Sequence, residues 1–63
     1  MNLGEKIKKY RILRGMKITD LARQADVTRQ TIYQIERGDS GTRVETLQRI
    51  AKALDISPAV FLE

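Results

Sequence analysis

The chain has 63 residues, and its 12 lysines and arginines outnumber its 8 aspartates and glutamates, which gives a formal net charge of +4. This length predicts one domain over residues 1–63 that depends on a compact apolar core, and the positive charge favours an acidic partner such as nucleic acid. Because cysteine and histidine are absent, disulfides, thiolate or imidazole metal sites and Ser-His or Cys-His catalysis are excluded.

The first predicted helix covers residues 2–14. Asn2 and Glu5 have the spacing of a capping box, and Gly15 ends the helix. Its apolar positions at helical spacing are Leu3, Ile7 and Tyr10.

Arg11 falls beside this apolar stripe. Breaking one member of a buried ion pair costs on the order of 3–5 kcal/mol, so a charge here requires a partner. The natural partner is Glu36, which the helical spacing places on the inner side of the third helix. The alternative is a partly exposed Arg11 whose methylenes cover the core while its guanidinium stays in water.

Two short helices are predicted over residues 18–25 and 29–37, on either side of the turn Ala25-Asp26-Val27. Thr28 can cap the second of them. Its apolar positions Ile32 and Ile35 share one side with Thr28 and Glu36, which leaves a polar side free. That polar side consists of Gln30, Tyr33, Gln34 and Arg37. Glutamine can bond adenine through N6 and N7, and arginine can bond guanine through O6 and N7, so these residues suit a major groove.

Several spaced elements agree with one known family. They are Leu21-Ala22, Val27-Thr28, Ile32 and the ending Ile35-Glu36-Arg37-Gly38, extended by Leu3-Gly4, Ile7 and Arg11 on one side and by Leu47 and Ile50-Ala51-Lys52-Ala53-Leu54 on the other. In these elements the chain resembles the helix-turn-helix of the Cro and phage-repressor family, also called the XRE family. The resemblance covers nearly the whole chain. It implies an all-α fold, a compact five-helix bundle of the lambda-repressor-like DNA-binding type with a central helix-turn-helix, and it supports the pairing of Arg11 with Glu36.

The chain departs from that family where the second helix begins. Relatives usually have Ser, Thr or Asn in place of Lys17, and Gln, which often reaches a DNA phosphate, in place of Ile18. The backbone N–H groups of this helix start can still face a phosphate, and Lys17 adds charge. Asp20 in the first turn favours the helix dipole.

A fourth helix is predicted over residues 43–54, after the loop Gly38-Asp39-Ser40-Gly41 in which Gly38 adopts a left-handed conformation. Thr42 and Glu45 have capping-box spacing. Arg49 and Lys52 belong to a solvated side. The predicted apolar stripe is Val44, Leu47, Ile50, Ala51 and Leu54.

The last predicted helix covers residues 58–62, with Ser57 as its cap and Pro58 at its first position. Either Val60, Phe61 and Leu62 all close the base of the bundle, or some of them form a two-fold contact between subunits. We favour Phe61 as a core residue and Val60 or Leu62 as the contact.

The resemblance implies a sequence-specific double-stranded DNA-binding domain of a transcriptional regulator, in this family most often a repressor, with the third helix in the major groove. A homodimer on a palindromic operator is expected. The expected base contacts are Thr28, Arg29, Gln30 and Gln34, and the expected backbone contacts are Lys17, Thr31, Tyr33, Arg37 and Arg43.

Two other interpretations remain open. The polar side of the third helix could simply be solvated, which is the default for a single surface helix. The same fold could also serve as a protein-interaction module, such as an antitoxin component or an assembly adaptor. No enzyme activity, cofactor or metal is expected. Without a membrane-spanning run or a signal segment, a cytoplasmic protein of bacterial, archaeal or phage origin, associated with the nucleoid, is expected.

Overall fold

The chain folds into four α-helices and one short 3₁₀ helix, in a computed structural model that describes residues 2–38 and 41–62. The helices are α1 (Leu3–Leu13), α2 (Ile18–Gln24), α3 (Arg29–Arg37) and α4 (Val44–Ala53), followed by the 3₁₀ helix Pro58–Leu62. Each α-helix begins and ends within about one residue of its predicted bounds. No helix in the described ranges is long and apolar enough to cross a membrane.

The all-helical class is confirmed, but the prediction of a fifth α-helix was wrong. The segment Pro58–Leu62 is a 3₁₀ helix, in which the Val60 N–H donates to the Ser57 carbonyl. A segment of 5 residues is too short to form many of the hydrogen bonds between residues four apart that stabilise an α-helix. It therefore adopts the tighter 3₁₀ pattern, in which the hydrogen bonds join residues three apart. The Ser57 hydroxyl accepts a bond from the Ala59 N–H at 3.3 Å, as its predicted role as cap requires.

Side-chain caps hold the starts of α1 and α2. The Asn2 carboxamide oxygen accepts a bond from the Glu5 N–H at 2.9 Å. At α2, the Asp20 carboxylate accepts a bond from the Lys17 N–H, also at 2.9 Å. Lys17 has no acceptor on its side chain, so Asp20 replaces the cap that the sequence lacks at this position.

The capping box predicted for Thr42 and Glu45 was wrong. The residue that caps α4 is Arg43, which makes no side-chain capping bond. Because α4 begins one residue later than a box at Thr42 requires, Glu45 lies too early in the helix to reach back to it.

Four turns between helices use left-handed backbone conformations. Gly15 and Gly38 have φ of +67° and +81° and follow α1 and α3. Asp26 and Asp55 have φ of +57° and +58° after α2 and α4. Aspartate is one of the few residues other than glycine that adopts this conformation at modest cost. The predicted loop residues Asp39 and Ser40 lie outside the described residues.

The core lies where α2 packs against α3 and α4, α1 packs against α3, and the 3₁₀ helix packs against α4. Phe61 is buried, which confirms its predicted role. Among residues 2–38 and 41–62 the core is wholly apolar. Its buried side chains are Ile7, Leu21, Ala22, Ala25, Ile32, Ile35, Ile50, Ala51, Leu54 and Phe61.

The fourth helix departs from its predicted stripe at one end. Val44 is 71% exposed because it is the first residue of α4 and lies beyond the reach of the packed helices. Leu47 is partly buried against the core. Lys52 is exposed as predicted, whereas Arg49 is partly buried and lies 3.8 Å from the Glu45 carboxylate.

Because Gly4 has no side chain, the backbone of α1 can pass very close to the backbone at the end of α3. A Cβ atom at Gly4 would collide with the Ile35 carbonyl oxygen and lie 2.7 Å from the Glu36 carbonyl oxygen. Both obstacles are backbone atoms of a helix, so neither can move without moving α3. The glycine thereby fixes how closely α1 holds the helix that carries most of the candidate site residues.

Candidate nucleic-acid interface

The start of α3 is fixed by a hydroxyl pair. The Thr28 hydroxyl oxygen accepts a bond from the Thr31 N–H at 3.1 Å, which confirms Thr28 as the cap. The hydroxyl groups of Thr28 and Thr31 lie 2.8 Å apart and share one hydrogen. If Thr31 donates that hydrogen, the Thr28 hydroxyl keeps its own hydrogen for an external acceptor.

Five exposed residues make up what we call the outward face of α3. They are Arg29, Gln30, Tyr33, Gln34 and Arg37. None of the five is acidic, and two are arginines. The one carboxylate of α3, Glu36, is turned toward α1, so its charge does not oppose an anion approaching the outward face.

The predicted ion pair between Arg11 and Glu36 is present, and it ties α1 to the end of α3. Arg11 Nε and Nη2 donate to the two oxygens of Glu36 at 2.7 and 3.1 Å, in a bidentate arrangement. Arg11 Nη1 also donates to the Met16 carbonyl at 2.8 Å. The side chains are only 11% and 7% exposed, so the alternative of a solvated Arg11 guanidinium is excluded.

Tyr33 and Arg37 form a stacked pair on the outward face. The Arg37 guanidinium lies 5.4 Å from the centre of the Tyr33 ring, within the range of a cation–π contact. Both side chains line a shallow depression together with Lys8 of α1 and Ile18 of α2. No local pattern in the sequence singles out Lys8, because its place beside Tyr33 depends on the packing of α1 against α3.

A second shallow depression lies where α2 begins. Arg29, Gln30 and Tyr33 line it from α3, and Ile18 lines it from α2. Two of the expected base-contact residues and one expected backbone-contact residue are therefore brought together. Ile18 stands where relatives usually have a phosphate-contacting Gln, and in this structure it forms part of the surface.

Thr31 and Arg43 line a third depression, beside the start of α4. Thr42 and Thr46 line it as well, and the Thr42 hydroxyl oxygen is buried without a hydrogen-bond partner. The structure thus joins two of the expected backbone contacts at the loop that precedes α4.

Three expected contact residues line none of these depressions. Thr28, Lys17 and Gln34 are all exposed. Thr28 precedes α3, Lys17 precedes α2, and Gln34 lies in the middle of α3. They extend the candidate surface beyond the depressions and remain predictions.

Similar proteins carry the same motif. A helix-turn-helix family model matches residues 7–61. The transcriptional regulator SinR of Bacillus subtilis is 29% identical over 62 residues, which are 97% of this chain and 56% of SinR. An uncharacterised helix-turn-helix transcriptional regulator of Sinorhizobium fredii, y4wC, is 32% identical over 62 residues, 98% of this chain and 43% of that protein. The chain thus spans about half the length of the curated relatives it matches.

Solved structures with the same fold agree with these matches. SinR in complex with DNA superposes with a TM-score of 0.92 at 29% identity, over 97% of this chain and 98% of that one. The restriction-modification controller protein C.AhdI from Aeromonas hydrophila gives a TM-score of 0.92 at 25% identity, over 94% of this chain and 89% of that one. The chain therefore belongs to the helix-turn-helix family, in its Cro/C1-type or XRE branch.

Proposed function

We propose that this domain binds double-stranded DNA in a sequence-specific manner and regulates transcription, as a repressor in the cytoplasm. One observation carries the proposal. The outward face of α3 exposes amide and guanidinium groups, while the only carboxylate of the helix is neutralised by Arg11 on the other side. Such a surface suits a groove lined by base edges and flanked by phosphates.

The proposed roles follow from the position of each side chain on α3. With α3 in the major groove, its first turn and the next outward position face base edges, and each good bidentate contact discriminates by about 1–3 kcal/mol. The proposed base contacts are Thr28, Arg29, Gln30 and Gln34. The proposed contacts to the sugar-phosphate backbone are Lys17, Thr31, Tyr33, Arg37 and Arg43.

Two relatives support the proposal. SinR has been solved in complex with DNA, and the fold of that structure matches 97% of this chain. The controller protein C.AhdI, also similar in fold, belongs to a restriction-modification system. Each supports the proposal by similarity, and the contacts themselves rest on the side chains of this chain.

The proposed active form is a homodimer on a palindromic operator. One domain reads only a few base pairs, so two half-sites about one helical turn apart are needed for useful selectivity. Leu62 is 84% exposed and Val60 is partly buried next to it in the 3₁₀ helix. An exposed leucine at this position is suited to a contact across a two-fold axis.

A protein-interaction module is the second candidate. SinR, of which this chain covers 60% in that structure, has also been solved in complex with the protein SinI. A protein-binding surface, however, concentrates aromatic and apolar anchors, and on the outward face of α3 Tyr33 is the single aromatic residue. DNA is the partner that the composition of this face favours.

Selection of bound duplexes from a random pool tests the proposal. We expect a palindromic consensus, and binding to it should weaken steeply as salt rises because several phosphates are neutralised. Failure to enrich any duplex, or binding insensitive to salt, would contradict the proposal.

The division of roles has its own test. Gln30→Ala should relax preference at one base pair of each half-site. Arg43→Ala should weaken all duplexes alike and lower the slope of the salt dependence by about one. Identical behaviour of the two variants would refute the assignment of Gln30 to a base and Arg43 to the backbone.

A further inference from the structure

The depression at the start of α2 is an apolar cup beside the polar residues of the outward face of α3. It has a volume of about 260 Å³ and is lined by Ile18, Arg29, Gln30 and Tyr33. Its accessible wall is almost wholly apolar, although two of the four lining residues, Arg29 and Gln30, have polar ends. Tyr33 is 51% exposed and Ile18 is partly buried.

Cations border the cup. Arg29 forms part of its wall, and the neighbouring depression, which shares Ile18 and Tyr33, is lined by Lys8 and Arg37. Glu36 also lines that depression, but its charge is neutralised there by Arg11. An apolar side chain of a protein partner would gain nothing from these cations. Duplex DNA presents phosphates to such cations and, in its major groove, one strongly apolar group, the C5-methyl of thymine.

The cup lies on the side of α3 that is proposed to face base edges. Gln30 and Tyr33 are three residues apart in α3, and Arg29 and Tyr33 are four apart, so all three lie on one side of the helix. Ile18 closes this side from α2. The cup is therefore flanked by two of the side chains proposed to reach base edges.

We infer that the Ile18–Tyr33 cup receives the C5-methyl of a thymine in each half-site, and that both residues determine specificity at that base pair. The inference rests on the proposed DNA-binding function. Tyr33 then contacts a base in addition to the backbone contact proposed above. The stacked Arg37 guanidinium, 5.4 Å from the ring centre, holds the ring in place beside the methyl.

Replacing thymine by deoxyuridine tests the inference, because this substitution removes the C5-methyl and leaves every hydrogen-bonding group in place. Each thymine of the selected duplex is exchanged in turn, in both half-sites, and the affinity is measured. For the unmodified protein we expect a loss of about fourfold per half-site at one position, the value for withdrawing one buried methyl group. Ile18→Gln should bind the thymine and uracil duplexes equally at that position.

A matched variant controls for the change of side chain. Ile12 is an exposed isoleucine of α1 that lines neither depression, so Ile12→Gln should keep the full preference for thymine. The readout is a ratio within each variant, so a general gain or loss of affinity cancels. Far-UV circular dichroism verifies that the variants are folded.

Two results of the uracil substitutions would overturn the inference while leaving the proposed function intact. One is binding to the selected duplex that no uracil substitution weakens. The other is a thymine preference that Ile18→Gln retains.

As a measurement that needs no variant, 5-iodouracil placed at the sensitive position should photocrosslink to Tyr33, and a crosslink to a residue outside the cup would also refute the assignment. Absence of binding to any duplex would instead contradict the proposed function.

Discussion

The ion pair between Arg11 and Glu36 should carry an unusually large share of the stability of this small domain. The pair is bidentate, and both side chains are nearly buried, at 11% and 7% exposure. Glu36→Gln keeps the shape of the side chain but leaves the Arg11 charge without its counter-ion. Removing one member of a buried pair costs about 3–5 kcal/mol. A chain of 63 residues has a total stability of roughly 3–9 kcal/mol, so Glu36→Gln should come close to unfolding it.

The measurement is urea denaturation followed by circular dichroism at 222 nm. Arg11→Met should also destabilise strongly, because it strands the Glu36 carboxylate and removes the bond to the Met16 carbonyl. The double variant should be more stable than the sum of the two single changes predicts, since each charge is then removed together with its partner. A coupling free energy of about 0.5–3 kcal/mol is expected.

The more solvent-exposed pair of Glu45 and Arg49 provides the control. Its atoms are 3.8 Å apart and the Glu45 side chain is 78% exposed. Glu45→Gln should therefore change stability by at most about 0.5 kcal/mol. If Glu36→Gln were as mild as Glu45→Gln and showed no coupling to Arg11→Met, the argument that the pair fastens α1 to α3 would be refuted.

The remaining predictions concern backbone contact, capping and association. Gly4→Ala should destabilise the domain by about 1–3 kcal/mol, because the added Cβ meets the backbone of α3. Gly41→Ala, where the added Cβ meets open space, should change stability by less than about 0.5 kcal/mol. Equal effects of the two changes in urea denaturation would contradict the close approach at Gly4. Thr28→Ala should lower the free energy of unfolding by about 1 kcal/mol. Thr28→Ser should leave it nearly unchanged, because serine keeps the oxygen that accepts from the Thr31 N–H. A loss for Thr28→Ser as large as that for Thr28→Ala would contradict the capping role. Leu62→Arg should weaken dimerisation in sedimentation equilibrium without lowering the unfolding temperature of the monomer. Val44→Arg, at another largely exposed apolar position, should leave dimerisation unchanged, and the opposite order would rule out the 3₁₀ helix as the contact.

Local patterns predicted the helices and their inward sides well. The bounds of α3 and the burial of Ile32 and Ile35 follow directly from helical spacing and from the Thr28 cap. The Arg11–Glu36 pair could be predicted because a charge beside an apolar stripe needs a partner, and the family resemblance supplied the same one.

The errors lie where helical spacing carries no information about neighbours. Val44 satisfies the apolar period of α4, yet no helix covers that first turn, so it is exposed. The cap of α4 is Arg43 and not Thr42, because cap residues do not determine a helix start to one residue.

The cup and the role of Gly4 were also beyond the sequence. Ile18 is distant in sequence from Tyr33, and only the packing of α2 against α3 brings the two together. The close approach at Gly4 depends likewise on how α1 crosses the end of α3.

The most direct test of the central claim is a titration of the ¹⁵N-labelled domain with its selected duplex, followed by amide and side-chain NMR shifts. We expect the largest changes at Arg29, Gln30, Tyr33 and Gln34, four of the five residues of the outward face of α3, with smaller ones at Arg43. Changes confined to the outer side of α1 or to the 3₁₀ helix, with those four residues unaffected, would contradict the claim that α3 enters the groove.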